Sequence, residues 1–216
     1  MTVTTITSAT NPTRSAPALG RLVPATVAGA ALTTGLALAD ATVRATGGTP
    51  AWDDVTGAAP AVAGAMSVHA LTYALFATVL VVAASPIDAG RRSVRIVRRL
   101  LAGSLAVLAG GFASLTAIHS ARATAPVAVE AVTGISFVLT FVLAAALGVA
   151  LLRRPATRLP AALLVSIPAL VALTAGLAAV GSDWAHPAYA EAALYLGLAA
   201  LTVRTGGRDT PPAMTV

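Results

Sequence analysis

The sequence predicts an all-α, polytopic membrane protein with six transmembrane helices in one bundle and both termini in the cytoplasm. Three observations lead to this fold class. Of the 216 residues, 57% are hydrophobic and only 10% are charged, whereas a soluble domain carries roughly 25% charged residues. The apolar residues form six blocks close to the length of about 20 residues that crosses a bilayer. The arginines lie almost entirely on one side of these blocks.

The predicted organisation is a leader, a transmembrane domain and a tail. Residues 1–21 are rich in Thr, Ser, Pro and Ala, which predicts a disordered cytoplasmic leader, and residues 204–216 form a similar tail. The transmembrane domain covers residues 22–203. Its six predicted spans are Leu22–Val43, Ala61–Ala84, Leu100–Ile118, Val127–Leu152, Ala161–Val180 and Ala188–Val203.

The first span has an alternative interpretation as a signal peptide, because Ala37-Leu38-Ala39 resembles a small-residue cleavage site. Its apolar stretch is longer than the roughly 7–15 residues usual for a signal peptide. We therefore favour an uncleaved helix. Cleavage would leave the orientation of every later span unchanged.

The distribution of charge orients the predicted bundle. Twelve of the 14 arginines lie on one side of the spans, and only Arg44 and Arg122 lie on the other. Arginine-rich connections stay in the cytoplasm, so the arginine side is predicted to be inside. All three histidines and six of the eight acidic residues then lie outside. The predicted localisation is the cell membrane, with multiple passes.

Composition also excludes several function classes. The net charge of +6 would suit nucleic acid binding, but the arginines lie at helix ends, where topology already explains them, so we expect no nucleic acid partner. The chain has neither Cys nor Lys, which excludes thiol-ligated metals and a lysine Schiff base. The expected partner is the lipid bilayer, with anionic lipid at Arg91, Arg92, Arg95, Arg98 and Arg99.

No catalytic sequence motif is present, so the candidate site is a set of polar residues near the outer ends of the spans. Ionisable side chains at membrane depth are costly, and they usually mark a functional site or a paired structural one. The candidate polar cluster is Asp40, His69, Tyr73, His119, Glu130, Asp183, His186 and Glu191.

His69 lies deepest in this cluster and shares a helix face with Thr72 and Tyr73. It is either a structural residue that hydrogen-bonds a neighbouring helix or a proton acceptor or metal ligand. The weak candidates for a metal set are His69, His119, Glu130 and Glu191. The two glutamates also have a structural explanation, because each lies in the first turn of its helix, where the helix dipole favours carboxylates.

Two function classes follow from this cluster. One is a small transporter-like or membrane-organising protein with an outer-facing polar cluster. The alternative is an outward-facing membrane enzyme, either metal-dependent or acting by acid and base. The inner halves of the spans hold few polar residues beyond Ser136, Thr140 and Ser166, which weakens the case for a transport path through both leaflets.

The predicted topology can be tested by cysteine labelling, because the natural chain has no Cys. We expect Ser182→Cys to react with an impermeant thiol reagent added from outside the cell. Ser93→Cys should react only after the membrane is opened, because its neighbouring arginines hold it in the cytoplasm. The opposite pattern at either position would overturn the orientation.

Overall fold

A computed structural model of the chain describes residues 16–53 and 56–206, which contain helices and no strand. The helices follow one another along the chain, with a single 3-10 turn at Pro155–Thr157 between the fifth and the sixth. Their bounds are α1 Ala16–Ala45, α2 Ala59–Val82, α3 Ala84–Asp88, α4 Arg92–Ser120, α5 Val127–Leu151, α6 Arg158–Val165, α7 Ile167–Ala179 and α8 Ala188–Gly206.

The long helices form a closed ring. In order around it, α1 packs on α2, α2 on α4, α4 on α5, α5 on α6, α6 on α8, and α8 returns to α1. We call the end where α1 finishes and α2 begins the histidine end, because Asp40, His119 and His186 lie there. The opposite end carries Arg98 and Arg154, and we call it the arginine end.

The surface of this ring is largely apolar. Among the described residues, α1, α2, α4, α5 and the segment Pro155–Ala179 are long and apolar enough to cross a membrane. Large apolar side chains such as Leu71, Ile135, Val142 and Val149 are at least 60% exposed. So much exposed hydrocarbon is consistent with a helical membrane protein.

The last helix differs from the others. With 19 residues and Glu191 near its start, α8 does not belong to the five candidate spans found in the described residues. It nevertheless buries many of its side chains against α1, α6 and α7. The sixth crossing therefore stays a prediction.

The helix boundaries depart from the predicted ones in several places, and α8 extends to Gly206, three residues into the predicted tail. The first helix begins at Ala16 and so takes in part of the predicted leader, while residues 1–15 and 207–216 lie outside the described residues. The arginine run expected as a connection is mostly helical, because α4 begins at Arg92. An arginine disfavours a helix little, so the apolar helix simply continues into the charged segment.

The predicted fifth span is two helices rather than one, and Pro168 explains the break. Proline has no N–H, and its ring clashes with the carbonyl four residues earlier, here that of Leu164. α6 ends at Val165, and α7 restarts at Ile167. Ser166 Oγ donates to the Leu163 carbonyl at 2.7 Å, which satisfies one acceptor near the break.

A buried ion pair joins the elements at the arginine end. Arg98 donates from Nε to Asp88 Oδ1 at 2.7 Å and from Nη2 to Oδ2 at 3.1 Å. A third donor, Nη1, binds the Leu80 carbonyl. Arg154 of the segment after α5 donates to the carbonyls of Ile87 and Asp88. The Asp88 carboxylate and the backbone carbonyls bound by Arg98 and Arg154 thus connect α2, α3, α4 and the end of α5.

This geometry changes the expectation for one of the five arginines assigned to lipid. Arg98 is only 4% exposed, because its guanidinium turns into the protein towards Asp88. Arg91, Arg92, Arg95 and Arg99 are exposed, so the expected contact with anionic lipid is left to these four.

We expect Asp88→Asn to lower the free energy of unfolding by about 3 kcal/mol, because it leaves the Arg98 charge buried without its partner. Arg99→Gln, a neighbouring exposed arginine, is the control and should change it by less than about 0.5 kcal/mol. Replacing the pair by Asp88→Asn with Arg98→Met should recover much of the loss. Denaturation in mixed micelles measures all three, and equal values for Asp88→Asn and Arg99→Gln would contradict the role of the pair.

Candidate functional site

Ion pairs at the histidine end connect the last turn of α1 to both neighbouring connections. Asp40 lies one turn before Arg44, whose Nε is 3.3 Å from the Asp40 carboxylate. Arg44 also donates from Nη2 to Asp53 Oδ2 at 2.7 Å. The other oxygen of Asp53 accepts from the backbone N–H and the hydroxyl of Thr56 at 2.9 and 3.0 Å. Asp53 therefore fixes the connection between α1 and α2, because its carboxylate binds both Arg44 and Thr56.

His186 extends this network to the connection between α7 and α8. Its Nδ1 accepts a hydrogen bond from the Ala188 N–H at 3.2 Å, so the ring hydrogen lies on Nε2. Nε2 then donates to Asp40 Oδ2 at 2.8 Å. The backbone carbonyl of His186 accepts from Thr174 Oγ1 at 3.1 Å. Two predicted cluster residues, Asp40 and His186, are thus a direct pair.

A cavity of about 260 Å³ lies between α2, α4, α5 and α8. It belongs to the half nearest the histidine end, because His69 is about 15 Å along α2 from Ala59 at ~1.5 Å per residue. The residues that line it are His69, Tyr73, Phe112, Thr133, Gly134, Phe137 and Glu191.

His69 is oriented by its own helix and by an aromatic ring. Its Nδ1 donates to the Ala65 carbonyl at 2.9 Å, since a carbonyl oxygen only accepts. The imidazole stacks on Phe112, with ring centroids 5.4 Å apart and planes inclined by 18°. Nε2 has no hydrogen-bond partner among the described residues, so it is available to a bound molecule as an acceptor.

Tyr73, which lines the cavity, forms a hydrogen-bonded pair with Tyr195 that we call the tyrosine floor. Tyr73 and Tyr195 are fully buried, and their hydroxyls hydrogen-bond each other at 2.7 Å. Phe76 stacks on the Tyr195 ring, with centroids 6.3 Å apart. Towards the arginine end the interior is mainly apolar, with Leu80 and Leu105 buried. The polar side chains buried there are hydrogen-bonded, as in the pairs Arg98–Asp88 and Ser104–Thr140.

Glu191 is the acidic group of the cavity. It lies in the first turn of α8, and its carboxyl group interacts with the Tyr195 hydroxyl one turn further on. Asp40 is close enough to act on Glu191 electrostatically, but Asp40 is already paired with Arg44 and His186. Among the side chains that line the cavity, His69 is the basic group and Glu191 the acidic one.

The predicted cluster is therefore divided. His69, Tyr73 and Glu191 share the cavity, and Asp40 and His186 share the ion-pair network. The other three members of the cluster lie elsewhere. His119 binds the Leu115 carbonyl of its own helix at 3.2 Å, and Glu130 and Asp183 are exposed.

The candidate metal set is not assembled in the part of the chain that the structure describes. Across residues 16–53 and 56–206, no three His, Cys, Asp or Glu side chains are grouped closely enough to hold one metal ion. The set His69, His119, Glu130 and Glu191 fails because only His69 and Glu191 reach the cavity. Local sequence spacing could not show whether these residues converge, because the four residues come from four helices.

The predicted cluster does not include Phe112 and Phe137, which line the cavity, because an aromatic residue in an apolar span is usually a packing residue. It also omits Tyr195, the partner of Tyr73, although Tyr195 follows Glu191 by four residues and so shares its helix face. Arg44, one of the two exceptions to the arginine bias, follows Asp40 at the spacing of a helical ion pair.

Comparison of the chain with protein families, with curated proteins and with solved structures finds no match in any of the three.

We expect the two tyrosines of the floor to contribute unequally to the free energy of unfolding. Tyr73→Phe removes one hydrogen bond but leaves the Tyr195 hydroxyl in contact with Glu191, and should cost about 1 kcal/mol. Tyr195→Phe leaves both the Tyr73 hydroxyl and Glu191 without this partner, and should cost up to about 3 kcal/mol. Unfolding of the purified protein in mixed micelles measures both. Equal losses, or a larger loss for Tyr73→Phe, would contradict the described arrangement.

Proposed function

We propose that the protein is a transporter-like protein of the cell membrane that binds a small organic cation in the cavity between His69 and Glu191. In this proposal α8 provides the sixth crossing, and the histidine end faces outward, as the division of the arginines predicts. The four exposed arginines Arg91, Arg92, Arg95 and Arg99 contact anionic lipid on the inner side.

The observation that carries the proposal is the position of Glu191. A carboxyl group inside an apolar helical bundle is costly unless it is paired. Glu191 lines a cavity, and Arg44, the arginine of the ion-pair network, already pairs with Asp40 and Asp53. A ligand that brings a positive charge would supply the missing partner.

The walls of the cavity favour the same ligand class. Phe112, Phe137 and Tyr73 present aromatic rings to the cavity together with Glu191. Aromatic faces attract cations, by about 2 kcal/mol or more when the site is shielded from water. Nε2 of His69 adds an acceptor for a hydroxyl or an ammonium hydrogen. A carboxylate combined with several rings suits an ammonium better than an anion or a sugar.

The tyrosine floor supports a transporter-like role rather than an open channel. In this proposal the Tyr73–Tyr195 bond closes the cavity on its inner side, and the core beyond it is mainly apolar. A bound cation would therefore stop at the floor until α2 and α8 separate there. This matches a binding site with a closed inner gate.

A second proposal, an acid-base membrane enzyme, is favoured by one observation. His69 and Glu191 line the same cavity, so a base and an acid are available to one bound molecule. Conversion of a bound cation, rather than its unchanged release, would favour this second function.

The binding proposal is tested with choline and its uncharged isostere 3,3-dimethylbutan-1-ol on the protein in lipid nanodiscs. Choline should bind and the isostere should bind at least roughly tenfold more weakly, because the shape is kept and the charge is lost. Glu191→Gln should weaken choline binding by a similar factor of roughly ten or more. Isothermal titration calorimetry measures each affinity.

Glu130→Gln is the matched control, because Glu130 is also in the first turn of its helix but is exposed. It should leave choline binding unchanged. Absence of choline binding to the natural protein, or equal losses for the two glutamine variants, would refute the assignment of Glu191.

A further inference from the structure

A second cavity, an apolar groove of about 510 Å³, lies between α5, α7 and α8. Its walls are almost entirely hydrocarbon. The one hydroxyl on it, Thr174 Oγ1, is already bonded to the carbonyls of Leu170 and His186. The lining of the groove includes Phe141 of α5, Val171 and Ala175 of α7, and Ala190 of α8. The groove therefore offers no free polar group and suits an alkyl chain.

The break at Pro168 accounts for this groove. α6 lies tightly between two neighbours, because a Cβ added at Gly148 of α5 or at Gly197 of α8 would meet Leu164 closer than 3.0 Å. After the break, α7 no longer follows α5 closely, and Ile167 and Pro168 themselves line the groove. The space is thus built into the backbone rather than left by a missing side chain.

The groove adjoins the proposed cation site. Phe137 lines both cavities, and its ring contacts Phe141 edge to face, with centroids 4.7 Å apart. On α8, Ala190 lines the groove and the next residue, Glu191, lines the cation site. The cation site, which contains an acidic group, and the apolar groove therefore share one lining side chain, that of Phe137.

We infer that the ligand is a cationic amphiphile with a single alkyl chain, its ammonium head beside Glu191 and its chain in the groove between α5 and α7. This inference rests on the proposed function and specifies its ligand class. The acidic group selects the head by charge, and the uninterrupted hydrocarbon of the groove matches a chain without polar groups. A small hydrophilic cation would fill only the first cavity.

The test uses a dodecyltrimethylammonium probe with a diazirine at the chain end, added to the full-length protein in nanodiscs. After illumination, mass spectrometry should find the label on α7 and on the facing part of α5, near Val171, Ala175 and Phe141. Excess choline should abolish this labelling, because it occupies the head site. A probe with the same chain and a hydroxyl head should label the groove less, and choline should not affect it.

A blocking variant and its control complete the test. Ala175→Trp fills the groove and should weaken binding of the probe by at least about tenfold, the factor for excluding two or three methylenes. It should leave choline affinity unchanged. Ala169→Trp is the control, because Ala169 lies on the opposite face of α7 and is exposed. It should bind both ligands normally.

The outcomes separate the two proposals. If choline does not bind, the proposed function fails and the inference fails with it. If choline binds but does not compete with the probe, or if both tryptophan variants bind the probe equally, only the amphiphile inference is overturned. Equal, choline-insensitive labelling by the hydroxyl probe would identify the groove as a position for any lipid chain, which also overturns it.

Discussion

The hydrogen bond between Tyr73 and Tyr195 is the interaction on which the interior depends. An unpaired buried hydroxyl costs on the order of 2–7 kcal/mol. Tyr195 removes that cost for Tyr73, and Tyr73 and Glu191 together remove it for Tyr195. The bond also joins α2 to α8 where the surrounding core is mainly apolar. His69 and Glu191 lie on one side of it, and apolar packing fills the other. The depth of the polar cavity is therefore fixed by one pair of hydroxyls.

Hydropathy predicted the long apolar helices well, because it depends on the solvent around a helix and not on how the helices pack. Pro168 is a sequence signal for the break in the fifth predicted span, but the long apolar segments on both sides of it favour a single span. The burial of Asp88 is more difficult to predict. This residue is one acid beside a run of arginines, which in sequence suggests a solvated connection. Its burial requires α3 to fold back on α4, which no local pattern specifies.

The candidate site shows where sequence reasoning stops. Glu130 and Glu191 each follow a proline by four residues and each begin a helix, so locally they are equivalent. Glu191 nevertheless faces the cavity and Glu130 is exposed. The rotation of a helix about its axis depends on its neighbours, and here α8 packs on three helices. The pairing of Asp40 with His186 is likewise visible only once α1 and α8 are adjacent.

The burial of α8 has a consequence for how the chain is made. A 19-residue helix with a glutamate in its first turn enters hydrocarbon less readily than the five more apolar helices. Its neighbours α1, α6 and α7 all precede it in the chain, so they can receive it as it leaves the ribosome. In the proposed six-span topology, insertion of α8 is then a docking step on these helices rather than an independent partitioning event. Substitutions in α1 that face α8 would appear as wrongly oriented C-terminal segments.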